Sequence, residues 1–483
     1  MVLLRLKVTH QEYYTRTTLC QLYLCIPPPR DYFRLSVPNY QEWFQESVVF
    51  WLHMFRAECN TRVHRALEID RDVNMTTLRR SFLSIEVLCL AIIFIPSHAE
   101  VIHKFATIDY EWPNATALAQ SLANGDFASK TGVVSHSDVK GIPPGLTTVV
   151  KCADGKSVLR PYPNWDAQKI GDCSALQLPM SMAINPNTGY LYVIDIGRVG
   201  ISSPNPTNLC PAKLIVYDTV LGGSTILSYE FPDSVVSRTT NYLNDIVLDY
   251  VNPKGACGVK YAYMTDTMTR SLVVYDFSHK SWVYKDPVSM GTDNDQDITI
   301  HGIIYPVDVG VGGIAMSPHF QLPLLLFCRI QEVVSRQVHT WVLRTPGNDF
   351  VSTTRLVGSK KSQGGGMVFG HKGLFFGALE YDAVYKRDME ADVISQGVSE
   401  GEAVMETQDP AAQNWQTMQW TDALSLDNES NLYFTTNRLQ KFVTNKMDFD
   451  GGDGANFRIF KYNVHDKSYL FPAVPERPES IVG

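Results

Sequence analysis

Leu214-Ile215-Val216-Tyr217-Asp218 and Leu272-Val273-Val274-Tyr275-Asp276 are nearly one phrase written twice. Each is a short run of β-branched and aliphatic residues closed by Tyr-Asp, the composition of a strand covered on both faces. Working outward, each follows two other apolar runs joined by a polar turn. Ser181-Met182-Ala183-Ile184-Asn185-Pro186 leads to Leu191-Tyr192-Val193-Ile194-Asp195, and Asn244-Asp245-Ile246-Val247-Leu248-Asp249 leads to Tyr261-Ala262-Tyr263-Met264-Thr265-Asp266. The same grammar recurs in Gly312-Gly313-Ile314-Ala315-Met316-Ser317-Pro318 with Leu324-Leu325-Leu326-Phe327, and in Gly366-Met367-Val368-Phe369-Gly370 with Gly373-Leu374-Phe375-Phe376-Gly377. A fifth copy is Asp422-Ala423-Leu424-Ser425-Leu426-Asp427 with Leu432-Tyr433-Phe434-Thr435. Weaker third strands are expected at Trp341–Arg344, Ala383–Lys386 and Phe457–Lys461.

Repeats of this kind, each too small to bury its own faces, point to a radial stack. Units recur about every 55–65 residues, longer than the roughly 40–50 of compact propeller repeats, which leaves room for long loops. The 384 residues from Glu100 onward divide into six such units. The expected fold is therefore all-β, a six-bladed β-propeller over 100–483. Its sixth blade would come from residues 100–172, completed by a strand from the other terminus. Four-stranded blades arranged this way leave only short, protected edges.

The chain has 483 residues, 45% hydrophobic and 19% charged, which suits a large buried core. A net charge of −8 excludes nucleic acid as the expected partner, because phosphate binding needs clustered Lys and Arg. Residues 75–99 carry Leu78-Arg79-Arg80, then an apolar run from Phe82 to Ile95 broken by Glu86, then Ser97-His98-Ala99. Basic start, short apolar middle and small-residue end are the parts of a secretory signal peptide. A buried helix and a type II anchor are the competing readings, but the run falls short of the about 20 apolar residues that span a bilayer. Residues 1–74 lack sustained periodicity and read as an extension outside the functional product, disordered or wrongly joined to the coding region. The expected product is secreted and extracellular, with no membrane association once the signal is removed.

Several motifs in order resemble the Yellow / major royal jelly protein family, a family of secreted arthropod six-bladed propellers. They are Gly171-Asp172-Cys173, Leu191–Asp195 with Gly197, Cys210-Pro211-Ala212-Lys213 running into Leu214–Asp218, and Ala262–Asp266. Gly313–Pro318, Gly373–Gly377, Thr436-Asn437-Arg438-Leu439-Gln440-Lys441-Phe442 and Asn456-Phe457-Arg458-Ile459 continue the series. The chain departs from the family at Gly141–Leu146, where a Pro-Arg-aromatic motif is missing. It departs again at Asn187–Tyr192, where a Cys-Gly-Arg-Leu-Trp strand is replaced.

Cys152, Cys173, Cys210, Cys257 and Cys328 follow Glu100, and in a secreted chain they predict at least one disulfide and one free thiol. Pairs within a blade or between neighbours suggest Cys152–Cys173 and Cys210–Cys257. Asn114-Ala115-Thr116 and Asn428-Glu429-Ser430 are glycosylation sequons. No Cys or His spacing suggests zinc, and no cofactor is expected.

Innermost strand starts should line a channel, placing Ser181, Asn244, Asp245, Asp308, Gly313, Gly366, Trp420, Thr421 and Asp422 near one mouth. Carboxylates beside an indole suit an aromatic amine, by charge pairing and by the π face. The resemblance adds Asn437, Leu439 and Thr421, which match the amine-binding positions of salivary family members; Leu439 lacks the aromatic ring found there. The expected ligand set is Asn437, Leu439, Thr421, Asp245 and Asn244, and the expected partner a small aromatic amine or catechol. Some members convert dopachrome, a tautomerisation that needs a proton acceptor, for which Asp245, Asp308, His301 and His371 are candidates. The sequence assigns no catalytic residue. Carrier, isomerase and structural protein of cuticle, eggshell or pigmentation all remain open.

Overall fold

The computed structural model describes the backbone at 3–6, 22–25 and 33–35, and residues 99–125, 127–128, 145–152, 155–201, 205–250, 258–291, 297–305, 310–318 and 323–471. Met1–Pro96 and Ser97–Gly483 are separate units. In the first, strands β1 (Leu3–Leu6), β2 (Leu22–Cys25) and β3 (Phe33–Leu35) form a small antiparallel sheet where no strand periodicity is legible. The signal-like segment lies outside the described residues. Among the described residues no helix is long and apolar enough to cross a membrane.

The second unit is a β-propeller with five four-stranded blades among the described residues. In chain order, β4 (Glu100–Phe105) and the hairpin β5 (Thr147–Lys151) and β6 (Ser157–Pro161) precede the first blade. That blade is β7 (Pro179–Asn185), β8 (Tyr190–Asp195), β9 (Lys213–Asp218) and β10 (Ser224–Glu230). The second is β11 (Leu243–Asp249), β12 (Tyr261–Asp266), β13 (Ser271–Asp276) and β14 (Lys280–Lys285). A hairpin of β15 (Ile298–Ile300) and β16 (Ile303–Tyr305) follows. The third blade is β17 (Val311–Met316), β18 (Leu324–Arg329), β19 (Val334–His339) and β20 (Arg355–Ser359). The fourth is β21 (Met367–Phe369), β22 (Gly373–Ala378), β23 (Ala383–Asp388) and β24 (Asp409–Gln413). The fifth joins β25 (Thr421–Leu426), β26 (Asn431–Thr436) and β27 (Phe457–Asn463) to β4.

All five two-strand motifs of the sequence are the inner two strands of a blade. One third strand differs: Trp341–Arg344 was expected, but Val334–His339 takes the place. It pairs on both sides, with β18 and β20, while Thr340–Leu343 coils into a short helix with Trp341 exposed. The strand exchange also differs. β4 pairs with β27 and completes the fifth blade, rather than a strand from the C-terminal end completing a sixth. The segment between β4 and β7 instead packs on both end blades. Tyr110 and Phe127 bury against Phe457, while Leu146 and Leu176 bury against Val193, Ile215 and Tyr217.

Apolar side chains fill the wedges between blades. Ile194, Leu214 and Val216 of the first blade meet Leu248, Met264 and Val273 of the second. Tyr263 and Val274 join Leu325, Phe327 and Phe376 in the core of the second to fourth. Arg344 pairs bidentately with Asp249, whose Oδ2 also accepts from the Tyr263 hydroxyl at 2.6 Å, locking the second blade to the third.

The innermost strands β7, β11, β17, β21 and β25 adjoin one another around the axis. Their starts come so close that side chains are excluded. A Cβ on Gly313 would lie 1.7 Å from the Gly365 carbonyl oxygen, and one on Gly366 would lie 1.5 Å from that of Asp422. The acidic end of the second strand pins the chain leading into the innermost one. Asp195 accepts from the Gln177 and Leu178 amides at 2.9 and 2.7 Å, and Asp266 accepts from Tyr242 at 2.9 Å. Lys213, fully buried, sits 3.4 Å from Asp195 and donates to the Cys173 and Ala175 carbonyls.

Cys173 bonds to Cys210, which corrects the expected Cys152–Cys173 and Cys210–Cys257 pairs. The reason is local: both cysteines lie on loops leading into strands of the same blade, beside the Asp195–Lys213 pair. Cys152 is a free, exposed thiol and Cys328 a free, buried one; Cys257 lies outside the described residues. The bond closes a loop with a sequence separation of 37, so Cys173→Ser should lower unfolding free energy by about 2–4 kcal/mol in chemical denaturation. Gly366→Ala should cost at least about 1–3 kcal/mol in the same assay, since the backbone of Asp422 must move to admit one methyl.

Candidate functional site

One end of the axis carries the starts of the innermost strands, and most of the expected site residues meet there. Asp245, the third residue of β11, accepts from the Ser181 hydroxyl of β7 at 3.0 Å and from the Ile246 amide at 2.9 Å. Asp422, the second residue of β25, faces it closely enough that the two charges repel. Both side chains keep some water contact yet are surrounded by protein atoms, as a narrow channel dictates. Burial therefore raises Asp245 to about 7, partly offset by the Ile246 amide and the Ser181 hydroxyl and raised further by Asp422. Burial raises Asp422 to about 6, with the Asn437 amide pulling it down.

Asn437, directly after β26, is 2% exposed. Its Oδ1 accepts from the Leu439 amide at 2.8 Å, while its Nδ2 lies near enough to the Asp422 carboxyl to lower it without making a hydrogen bond of good geometry. A buried donor left open is uncommon.

The other expected positions serve different ends. The Thr421 hydroxyl donates to the Met418 carbonyl at 3.1 Å, so it caps its own strand. Asn244 donates to the Gly312 carbonyl at 3.3 Å, reinforced by Thr265 at 2.7 Å, and ties β11 to β17. Leu439 joins an apolar roof with Ile298, Ile300, Ile330, Leu379 and Trp420. Tyr305 meets Trp420 edge-on at 4.8 Å, so the β15–β16 hairpin packs over the residues that begin β25.

Of the proton-acceptor candidates, Asp308 lies outside the described residues. His371 sits in the turn between β21 and β22, at the end of β21 remote from Gly366, bonded to the Phe471 carbonyl. His301 caps the β15–β16 turn and pairs with Asp382 at 2.7 Å, away from the channel carboxylates. Asp422 stands beside Asp245 at the mouth, as expected from its place at the start of an innermost strand. Nothing in the sequence marks Asp382 or the roof hairpin. Asn114 and Asn428 are both exposed, Asn114 capping the helix Ala115–Asn124 through Oδ1.

The far end of the axis is closed by the chain itself. Asp466 accepts from the His371, Lys372 and Gly373 amides, and buried Tyr469 uses its hydroxyl to donate to the Leu248 carbonyl at 2.9 Å and accept from the Leu248 amide at 3.2 Å.

The fold and site thus define a β-propeller with an acid-lined, apolar-roofed channel mouth. Residues 183–469 match the major royal jelly protein family model, and the chain belongs to this family, that of the Yellow proteins. It is 28% identical to "Protein yellow" of Drosophila yakuba over 240 residues, 45% of this chain and 42% of that protein. The chain thus spans about two-fifths of the length of the yellow protein it matches. It is 23% identical to "Dopaminechrome tautomerase" of Drosophila melanogaster over 406 residues, 76% of this chain and 82% of that protein. "Major royal jelly protein 3" of Apis mellifera is 24% identical over 405 residues, 76% of this chain and 69% of that protein.

The raised Asp245 has a consequence for stability. Between the unfolded carboxyl value near 4 and the folded value of about 7, the folded state binds more protons, so this group's contribution falls as pH rises. Asp245→Asn, which cannot ionise, should raise Tm relative to the parent at pH 8 and by less at pH 5. An equal change at both pH values would mean that Asp245 titrates normally.

Proposed function

We propose that this chain is a secreted Yellow-like protein of cuticle, eggshell or pigmentation biology that binds small aromatic amines or catechols at the channel mouth. The observation that carries this reading is the open, buried Asn437 Nδ2 beside the Asp245 and Asp422 carboxyls. An ammonium would pair with the acids, and a ring would lie under Trp420 and Leu439. The absence of an aromatic ring at position 439 makes the apolar contact weaker than a stacked one. The same reading takes residues 100–172, apart from β4, as the sixth position of a closed ring, the 75–99 segment as a removed signal, and the exposed Asn114 and Asn428 as glycan carriers.

A second reading, a dopaminechrome-type isomerase, is favoured by the similarity to the dopaminechrome tautomerase of Drosophila melanogaster and by an Asp245 carboxyl raised to about 7. A carboxyl poised there can accept and return a carbon-bound proton at neutral pH.

Calorimetric titration with dopamine and with 4-methylcatechol, followed by a dopaminechrome turnover assay, separates the readings. Dopamine binding should strengthen between pH 5 and 8 as the acids ionise, and Asp422→Asn should weaken dopamine more than the neutral catechol. Asn437→Ala should cost about 0.5–1.5 kcal/mol, more if a charged group is its partner. Equal losses for both ligands would make the acids structural. Undetectable binding would leave a structural protein, and turnover abolished by Asp245→Asn would establish the isomerase.

A further inference from the structure

Outside the channel, the outer side of the roof hairpin borders a groove of about 460 Å3 lined by Glu380, Tyr381, Asp382, Gln413, Asn414 and Trp415. Trp415 is 65% exposed, its indole largely open to solvent. His301 stands at the groove's edge, its ring centroid 6.2 Å from that of Trp415 at an angle of 41°. Its Nε2 is bonded to Asp382 Oδ2 at 2.7 Å. A carboxylate only accepts, so Nε2 carries the proton and a neutral ring offers the Nδ1 lone pair. Asp382 is 6% exposed, and its Oδ1 has no hydrogen-bond partner.

The backbone fixes where the pair stands. His301-Gly302 is the two-residue turn of the β15–β16 hairpin, with φ of 50° and 74°, and Asp382 ends the turn Leu379–Tyr381 at φ 51°. The His301 side chain is 31% exposed and that of Asp382 8%, which leaves one buried carboxylate oxygen unmet beside an exposed indole.

We propose that this groove is a second ligand site, separate from the channel, for a flat neutral or cationic phenolic ring. The ring lies on the Trp415 face, and its hydroxyl donates to His301 Nδ1. Asp382 is a positioning residue, fixing the tautomer and orientation of the imidazole, and its open Oδ1 is free to accept from a second, adjacent hydroxyl. An indole with an imidazole at its edge matches an aromatic ring bearing a polar substituent. Glu380 and Asp382 disfavour an anionic one. The site does not depend on the channel reading, because no lining residue is shared.

The test follows the His301 imidazole signal by NMR, assigned by its loss in His301→Gln, during titration with 4-methylcatechol. The expected result is a saturable shift, at least tenfold weaker in Trp415→Ala and absent with the dimethyl ether, which has no hydroxyl to donate. Asp382→Asn should weaken the ligand-induced shift, whereas a purely structural contact would leave the titration with 4-methylcatechol unchanged. Trp415 is exposed, so its removal leaves the fold intact. An unmoved His301 signal, a shift equal in Trp415→Ala, or a shift lost in Asp422→Asn but kept in Trp415→Ala would overturn the proposal. The channel reading is scored separately, by dopamine calorimetry.

Discussion

Crowding around the propeller axis governs the rest of the molecule. Where Gly313 faces the Gly365 carbonyl and Gly366 faces that of Asp422, there is no room for even one methyl group. Backbones in such contact set the width of the channel, and the width decides how much water reaches the groups lining it. The glycines are therefore part of the site's chemistry although none touches a ligand. Their φ values are not in the left-handed region, so the requirement is for space and not for backbone freedom.

Carboxylates elsewhere in the blades show what the channel lacks. Asp195 has two strand-entry amides and a buried lysine, Asp249 has an arginine and a tyrosine, and Asp466 has several turn amides. Each is a structural acid held by several donors, although burial still raises Asp466 above the usual carboxylate range. Asp245 has one hydroxyl and backbone amides, and Asp422 has the side of an amide, with the two acids repelling one another. Donors too few for the charge leave both carboxyls poised near neutrality. The same shortage makes a cation a favourable occupant.

Much of this was legible in the sequence, because a radial fold writes its blades as repeats. The five motif pairs are the inner strands, Asp245 and Asp422 were placed at one mouth by their position in those repeats, and Asn437 was added by the family resemblance. What was not legible depends on long-range packing. Trp341–Arg344 carries strand-like residues, but the preceding Val334–His339 fills the sheet position, and the chain turns into a helix where the blade ends. β4 was assigned to a blade of its own because nothing local shows that its partner is β27, more than 300 residues away. Thr421 matches a ligand position by pattern, yet its hydroxyl finds the Met418 carbonyl three residues back. The Cys173–Cys210 bond likewise follows from two loops meeting in one blade, a proximity that spacing does not encode.

The two ends of the axis are treated in opposite ways, and the difference bears on access. At the far end Tyr469 satisfies both polar groups of Leu248, the inner-strand edge that would otherwise face an open channel. Asp466 anchors that plug to the turn after β21, where Gly370 has no side chain because a Cβ would lie 2.2 Å from the Asp466 carboxylate. Such a closure couples the C-terminal segment to two blades and leaves no polar edge to be wetted. At the near end the covering is apolar side chains from the β15–β16 hairpin, with Asn437 Nδ2 left unpaired beneath them. A hydrogen-bonded plug resists opening because every broken bond strands a buried donor or acceptor. An apolar roof over an unmet donor loses little by exchanging its contacts for those of a ring. The two ends of the axis thus differ in what holds them, hydrogen bonds at one and apolar contacts at the other.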